Sequence, residues 1–167
     1  MPFIDDLAFV LAFLAVIACG LMGGLFFAFS NFVMQALARI APEAGIAAMQ
    51  AINQTVLNRV FLAIFLGTTA ACALLTLYTF VHWDVPGTLF LLVGSLMYLL
   101  GNFGVTLVCN VPRNNALAKL NAGSPDAVAP WRDYVEHWTR WNHVRAGTAL
   151  AASALLMVGL FLMLAMD

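Results

Sequence analysis

Four long stretches of the chain carry no charge and few polar side chains: about Leu7–Phe29, Val60–Val81, Val85–Cys109 and Ala146–Met166. Each holds the roughly 20 apolar residues that a helix needs to cross the hydrocarbon layer. None shows the alternation over about ten residues that marks a transmembrane barrel strand. The pattern predicts an all-α protein, a single transmembrane four-helix domain over residues 1–167 with spans near 7–29, 60–81, 85–109 and 146–166. Composition points the same way. Hydrophobic residues make up 63% of the chain, charged residues 9%, and the mean hydropathy is +0.95, whereas a soluble domain is about a quarter charged. The first run is expected to remain as a span. It has Asp5 and Asp6 where a signal peptide carries Lys or Arg, and it is long for a signal core.

The polar connections set the expected orientation. All seven Lys and Arg residues fall in two places: Arg39 and Arg59 between the first and second runs, and Arg113 to Arg145 between the third and fourth. The amino-terminal segment and the turn from Val81 to Pro86 have none. The positive-inside rule then predicts an integral protein of the cytoplasmic (inner) membrane, with both long connections in the cytoplasm and both termini outside. The helices should extend on the cytoplasmic side. The partner implied by composition is the lipid bilayer. No basic surface suits nucleic acid.

In chain order, Gly20, Gly23 and Gly24 sit inside the first run. The Gly20–Gly24 spacing lets another helix approach, within the bundle or across the face of a homo-oligomer. The helix should continue past the membrane surface as far as Pro42. Pro42 suits the first turn of the next helix, with Glu43 at its positive end. No breaker follows until Pro86, so one very long second helix is expected, with a stem over about Glu43–Asn58. Along that stem Met49, Gln50, Asn53, Gln54, Leu57 and Asn58 share a face. A stripe of amides rather than Lys and Glu suits a protein interior, either as hydrogen-bonding glue or as the wall of a ligand pocket. In the third helix Asn102, Thr106 and Cys109 share a face. A buried Asn102 amide needs a partner there, since an unpaired one costs several kcal/mol in lipid, by order of magnitude. Pro112 is expected to end that helix, with Asn110, Asn114 and Asn115 suiting the turn.

The segment Trp131–Arg145 holds three of four tryptophans and two of three histidines. Pro130 should open its helix. Asp133–His137 and Glu136–Arg140 are i,i+4 pairs that support it. Trp138, Trp141, Asn142 and Arg145 share a face. Arg145 either snorkels to the surface or turns inward to meet an anion. His137 and His143 lie about 240° apart round the helix and cannot share one metal ion. The transmembrane runs contain no Asp or Glu, which excludes a carboxylate-bridged di-iron bundle. Cys19, Cys72 and Cys109 have no metal-ligand spacing and read as packing residues. No metal is expected. A haem held by His143 alone stays open.

Several of these motifs also carry a resemblance. Gly20-Leu21-Met22-Gly23-Gly24-Leu25-Phe26-Phe27-Ala28-Phe29-Ser30, Met49-Gln50-Ala51-Ile52-Asn53, Asn110-Val111-Pro112-Arg113-Asn114 and Trp138-Thr139-Arg140-Trp141-Asn142-His143-Val144-Arg145 together resemble the anthrone-oxygenase-like membrane proteins over nearly the whole chain. The resemblance implies oxidation of an aromatic or quinone-like small molecule by O₂ without a dedicated cofactor. An anthrone is a flat, weakly acidic ketone whose anion can pass an electron to O₂ directly. Such an enzyme needs a base, an apolar slot and donors for the oxyanion. His143 is the expected base, because imidazole titrates near neutral pH. Arg145 is expected to stabilise the oxyanion. Trp138 and Trp141 would wall the slot, and Asn53, Asn58, Asn110, Asn114 and Asn142 would bind the substrate. Asn53, Asn110, Asn142 and His143 are therefore expected to converge on one cavity. Two other readings fit the same residues: a binding or structural membrane protein without catalysis, and a haem or quinone electron carrier.

Overall fold

The computed structural model describes residues 2–165, apart from the side chains of the first four of these. Met166, the expected end of the fourth run, and the side chain of Asp5 lie outside the described residues. The described chain is helical throughout its regular elements. Helix α1 (Pro2–Ala28) passes through a π-helical turn (Phe29–Val33) into α2 (Met34–Arg39). Helix α3 (Pro42–Thr55) forms a separate stem, and α4 (Arg59–Val81) returns through the apolar region. Helix α5 (Thr88–Leu96) runs through two π-helical segments (Met97–Gly104 and Thr106–Asn110) into α6 (Val111–Leu117). A 3₁₀ turn (Pro125–Ala127) leads into α7 (Val128–Leu164).

Four of these rods are long and apolar enough to cross a membrane: Asp6–Arg39, Arg59–Val81, Thr88–Leu117 and Pro125–Leu164. The last has 40 residues, about 60 Å at the helical rise, twice the hydrocarbon thickness. The surplus of the first, third and fourth rods falls at the same end of the bundle, where α3 joins them. Two cores result. One lies among the spans, built from residues such as Cys19, Phe26, Phe65, Leu75, Leu91, Tyr98, Ala149 and Leu156. The other lies among the stems, built from Met34, Ile46, Met49, Leu117, Trp131, Tyr134 and Trp138. The outward faces of the spans expose Leu14, Ile17, Leu77, Phe80 and Phe161, as lipid-facing positions should.

Helix α1 packs chiefly on α7. The close approach is made at Gly23, where an added Cβ would come within 2.8 Å of the Leu150 side chain. Gly24, half of the expected Gly20–Gly24 pair, has open space around it. At the far turn Gly87 holds φ +86°, and a Cβ there would lie 2.4 Å from the Gly159 carbonyl oxygen. A side chain at Gly87 is excluded both by conformation and by packing.

Two expected helix boundaries are corrected. The second helix is not continuous from Glu43 to Val81. It breaks after Thr55, because Asn58 caps α4: its Oδ1 accepts from the backbone amides of Val60 and Phe61, both at 3.0 Å. Its Nδ2 donates to the Thr55 carbonyl. An N-cap asparagine is favoured because it satisfies amides that the first helical turn leaves unpaired. Pro112 does not end the third helix. The π-helical turn over Thr106–Asn110 places the proline in the first turn of α6, where it needs no amide hydrogen. The Arg113 guanidinium donates to the Cys109 carbonyl at 2.6 Å beside it.

Candidate functional site

The stem end of α7 presents one buried face: Trp131, Tyr134, Trp138, Asn142 and Arg145, with Ala149 beyond. Their spacing of three and four residues is the helical repeat. The three rings stand in a row, Trp131 and Tyr134 at 5.7 Å between centroids and Tyr134 and Trp138 at 6.1 Å. Carboxamides from the facing helices meet them. The Asn114 Oδ1 of α6 accepts from Tyr134 Oη at 2.9 Å and from Trp138 Nε1 at 2.7 Å. The Asn53 Nδ2 of α3 donates to Tyr134 Oη at 3.4 Å. Gln50 Nε2 donates to the Leu117 and Leu120 carbonyls, which ties α3 to the end of α6.

One turn nearer the membrane the network becomes buried, apart from the half-buried Thr106. Asn142 Nδ2 donates to the Phe26 carbonyl and to Ser30 Oγ, both at 2.7 Å. Its Oδ1 accepts from Arg145 Nη2. Arg145 Nη1 reaches Thr106 Oγ1 at 3.3 Å. Asn110 Nδ2 donates to the Trp138 carbonyl, and Asn102 Nδ2 to the Arg145 carbonyl, each at 3.2 Å. Asn102 thus has the interhelical partner its burial requires. Two of the three π-helical segments carry these amides, and the third contains Ser30. A π turn re-aims side chains by about one position, and such turns recur at functional sites.

Arg145 turns inward and is only 5% exposed. Its guanidinium carbon lies 4.2 Å from the Phe26 ring centroid and 5.1 Å from that of Trp138. Among the described residues no carboxylate pairs with it, and its Nε has no hydrogen-bond partner. Taking a charge out of water costs several kcal/mol, by order of magnitude, unless it is paired. The two ring faces and two oxygen acceptors offset part of that cost. Tyr134, in the stem, has its phenol pushed above the ordinary value by burial, against smaller lowering effects of the Asn53 hydrogen bond and the Arg145 charge. It therefore stays a neutral donor to Asn114.

Between these groups lies a cavity of about 100 Å³. Its walls are mostly apolar and aromatic, including Phe26, Phe29, Met49, Phe61 and Trp138, and its polar lining is Asn53, Thr106, Asn114 and Arg145. Val56 and Leu57, in the break between α3 and α4, also line it, and Leu57 is 63% exposed. The cavity is partly open at this edge.

The expected site residues separate into three groups. Asn53, Asn114, Trp138 and Arg145 come together around the cavity. Asn142 and Asn110 stand behind it, holding Arg145 and α7 through the bonds above. Asn58, Trp141 and His143 lie elsewhere. Asn58 is the exposed cap of α4, and Trp141 is half-buried outside the cavity lining. His143 is exposed and lines a separate surface groove with Met34, Gln35 and Arg140. The helical repeat explains this: His143 and Arg145 are two residues apart, about 200° round α7. His137 faces Asp133, with Nδ1 and Oδ1 3.0 Å apart, on the outer surface. Sequence reasoning passed over Tyr134, Phe26, Ser30 and Phe61. Tyr134 carried a readable signal, four residues before Trp138 on the same face.

Among the described residues no group of three or more His, Cys, Asp or Glu side chains could hold a metal ion. The anthrone oxygenase family model matches residues 54–155. The match takes in Asn110, Asn114, Trp138, Asn142 and Arg145, and begins one residue after Asn53. No curated protein and no solved structure matches the chain.

Proposed function

The chain belongs to the anthrone oxygenase family, and from that premise we propose that it is a membrane oxidoreductase that oxidises an aromatic or quinone-like small molecule with O₂ in the stem cavity. The observation that carries this reading is the inward Arg145, a buried cation with an unpaired Nε at an aromatic-walled cavity. The cavity of about 100 Å³ is smaller than a tricyclic ligand, so such a ring system would seat one end between Trp138 and the phenylalanines and extend through the open edge at Val56 and Leu57. Its oxygen lies against Arg145, with Asn53 and Asn114 setting its orientation. Asn142 and Asn110 are positioning residues, since they act through Arg145 and the α7 backbone.

For an anthrone the chemistry balances without a further reactant. Loss of one proton from the ring CH₂ gives the anthranolate anion. The anion passes one electron to O₂, and the carbon radical and superoxide combine with uptake of a proton to form a C–OOH bond. Loss of water from that hydroperoxide leaves the second carbonyl of the anthraquinone. The protein's part is to bind, orient and stabilise the anion, which is the electron-rich form. Preorganised donors at a developing oxyanion are the largest single contribution in many enzymes. We place this site on the cytoplasmic side, because Arg39, Arg59, Arg113, Lys119, Arg132 and Arg140 all belong to the stem end.

The test is oxygen uptake and anthraquinone formation by the purified protein in detergent, with an anthrone as substrate. Wild type should exceed the protein-free rate, and Arg145→Met should lower turnover by about 10²–10³, the usual effect of removing one oxyanion donor. Absence of uptake with anthrones and with reduced quinones alike would refute the reading.

A further inference from the structure

Arg145 is the one charged residue among those lining the cavity. The groups that face it are Phe26 of α1, Thr106 of the π-helical segment, and Trp138, Asn142 and Tyr134 of α7. None is a carboxylate or an imidazole. Asn53 from α3, Phe61 from α4 and Asn114 from α6 complete the near lining, again without charge. The candidate base His143 stands on the other side of α7. The cavity thus offers a cation and amides but no side chain placed to take a proton.

We propose that the cavity takes its ligand as an anion, the conjugate base of an aromatic phenol or enol, and that it ionises that ligand without a base of its own. This rests on the reading of the cavity as the substrate site. The O–H or activated C–H bond breaks heterolytically, the electron pair stays on the ligand, and the proton leaves to water through the open edge at Val56 and Leu57. The guanidinium, which lines the cavity, then lies against the oxyanion. An opposite charge within 4–6 Å lowers an acid's pKa by about 1–3 units. The substrate class follows: flat aromatics bearing one acidic hydroxyl or a tautomerisable carbonyl. Neutral arenes without an ionisable oxygen are excluded, because binding one would leave Arg145 buried and unpaired.

The probe is 2-hydroxyanthraquinone, which resists further oxidation by O₂ and absorbs differently as phenol and phenolate. It is titrated from acid to alkali with the full-length protein in a neutral maltoside detergent, beside protein-free micelles. The proposal expects half-ionisation of the bound probe about 1–3 pH units below its value in micelles. Arg145→Met should abolish that displacement. Asn53→Asp, which keeps the shape and puts a carboxylate on the wall to neutralise Arg145, should cancel it; this variant serves if Arg145→Met fails to fold. A probe that binds and ionises at the micelle value or above overturns the proposal, as does a probe that does not bind. Oxygen uptake on an anthrone is scored separately. Lowered probe ionisation without uptake removes the oxygenase reading and keeps the anion site. Uptake with an unshifted probe removes the anion site and keeps the oxygenase.

Discussion

Asn142→Leu isolates the join between α1 and α7. Leucine keeps the branching and heavy-atom count of asparagine, so the change removes the hydrogen bonds while adding only the bulk of two methyl groups at a fully buried position. Two donated bonds are lost, to the Phe26 carbonyl and to Ser30 Oγ, together with the acceptor for Arg145 Nη2. At about 1 kcal/mol for each neutral bond and 1.5–3 for the charged one, the loss is about 3–5 kcal/mol. Hydrogen bonds between helices in a bilayer average nearer 0.6 kcal/mol, which sets a lower bound of about 2. For a chain of this size each kcal/mol moves the melting temperature by about 2–4 °C. The expected drop is therefore about 4–20 °C, measured by thermal unfolding in detergent. Gln54→Leu, on the exposed side of α3, is the control and should stay within about 0.5 kcal/mol of wild type. If Asn142→Leu melts together with that control, the buried network is not what joins the stems.

Two further predictions concern placement. A single cysteine introduced at Asp84 should label from outside intact cells and one at Ser124 only after permeabilisation; the opposite pattern would move the cavity to the outer side. His143→Asn should retain both melting temperature and oxygen uptake, because His143 is exposed on the far side of α7 from the cavity; a stable variant without uptake would make His143 essential and refute the base-free site.

The spans were legible because lipid admits only helices and closed barrels, and long uncharged runs without alternation leave the helix. The two misread boundaries have separate causes. Asn58 sits before an apolar run, which is an N-cap signal, but on the amide stripe of α3 it also fits a continuous helix. Pro112 normally ends a helix, and only the π turn before it lets the chain continue. A π turn has no sequence mark that separates it from α-helix. The site shows the same limit. Trp138, Asn142 and Arg145 were placed on one face by the helical repeat, and they share it. His143 was included on its chemistry and its place in a motif. The same repeat puts it about 200° away from Arg145. Whether Arg145 turned out or in was not a question of spacing. Phe26, Trp138, Thr106 and Asn142 settle it, and they come from three separated parts of the chain.

The amide stripe of α3 was open to two readings, glue between helices or the wall of a pocket, and the geometry makes these one role. Asn53 binds Tyr134 and lines the cavity, and Asn114 joins α6 to α7 through Tyr134 and Trp138 while lining it too. A carboxamide is both donor and acceptor and carries no charge, so it can bridge helices in a low-dielectric interior without a counter-ion. An ionised carboxylate in the same places could only accept, so it would lose the bond that Asn53 donates to Tyr134, and it would neutralise Arg145. With amides, the stems are held together while the buried Arg145 cation keeps its charge uncompensated. Buried and unpaired, that cation costs stability. In the proposed reading an anionic ligand against Arg145 would offset the cost, and the groups that join the stems would also keep the cavity selective for a negative charge.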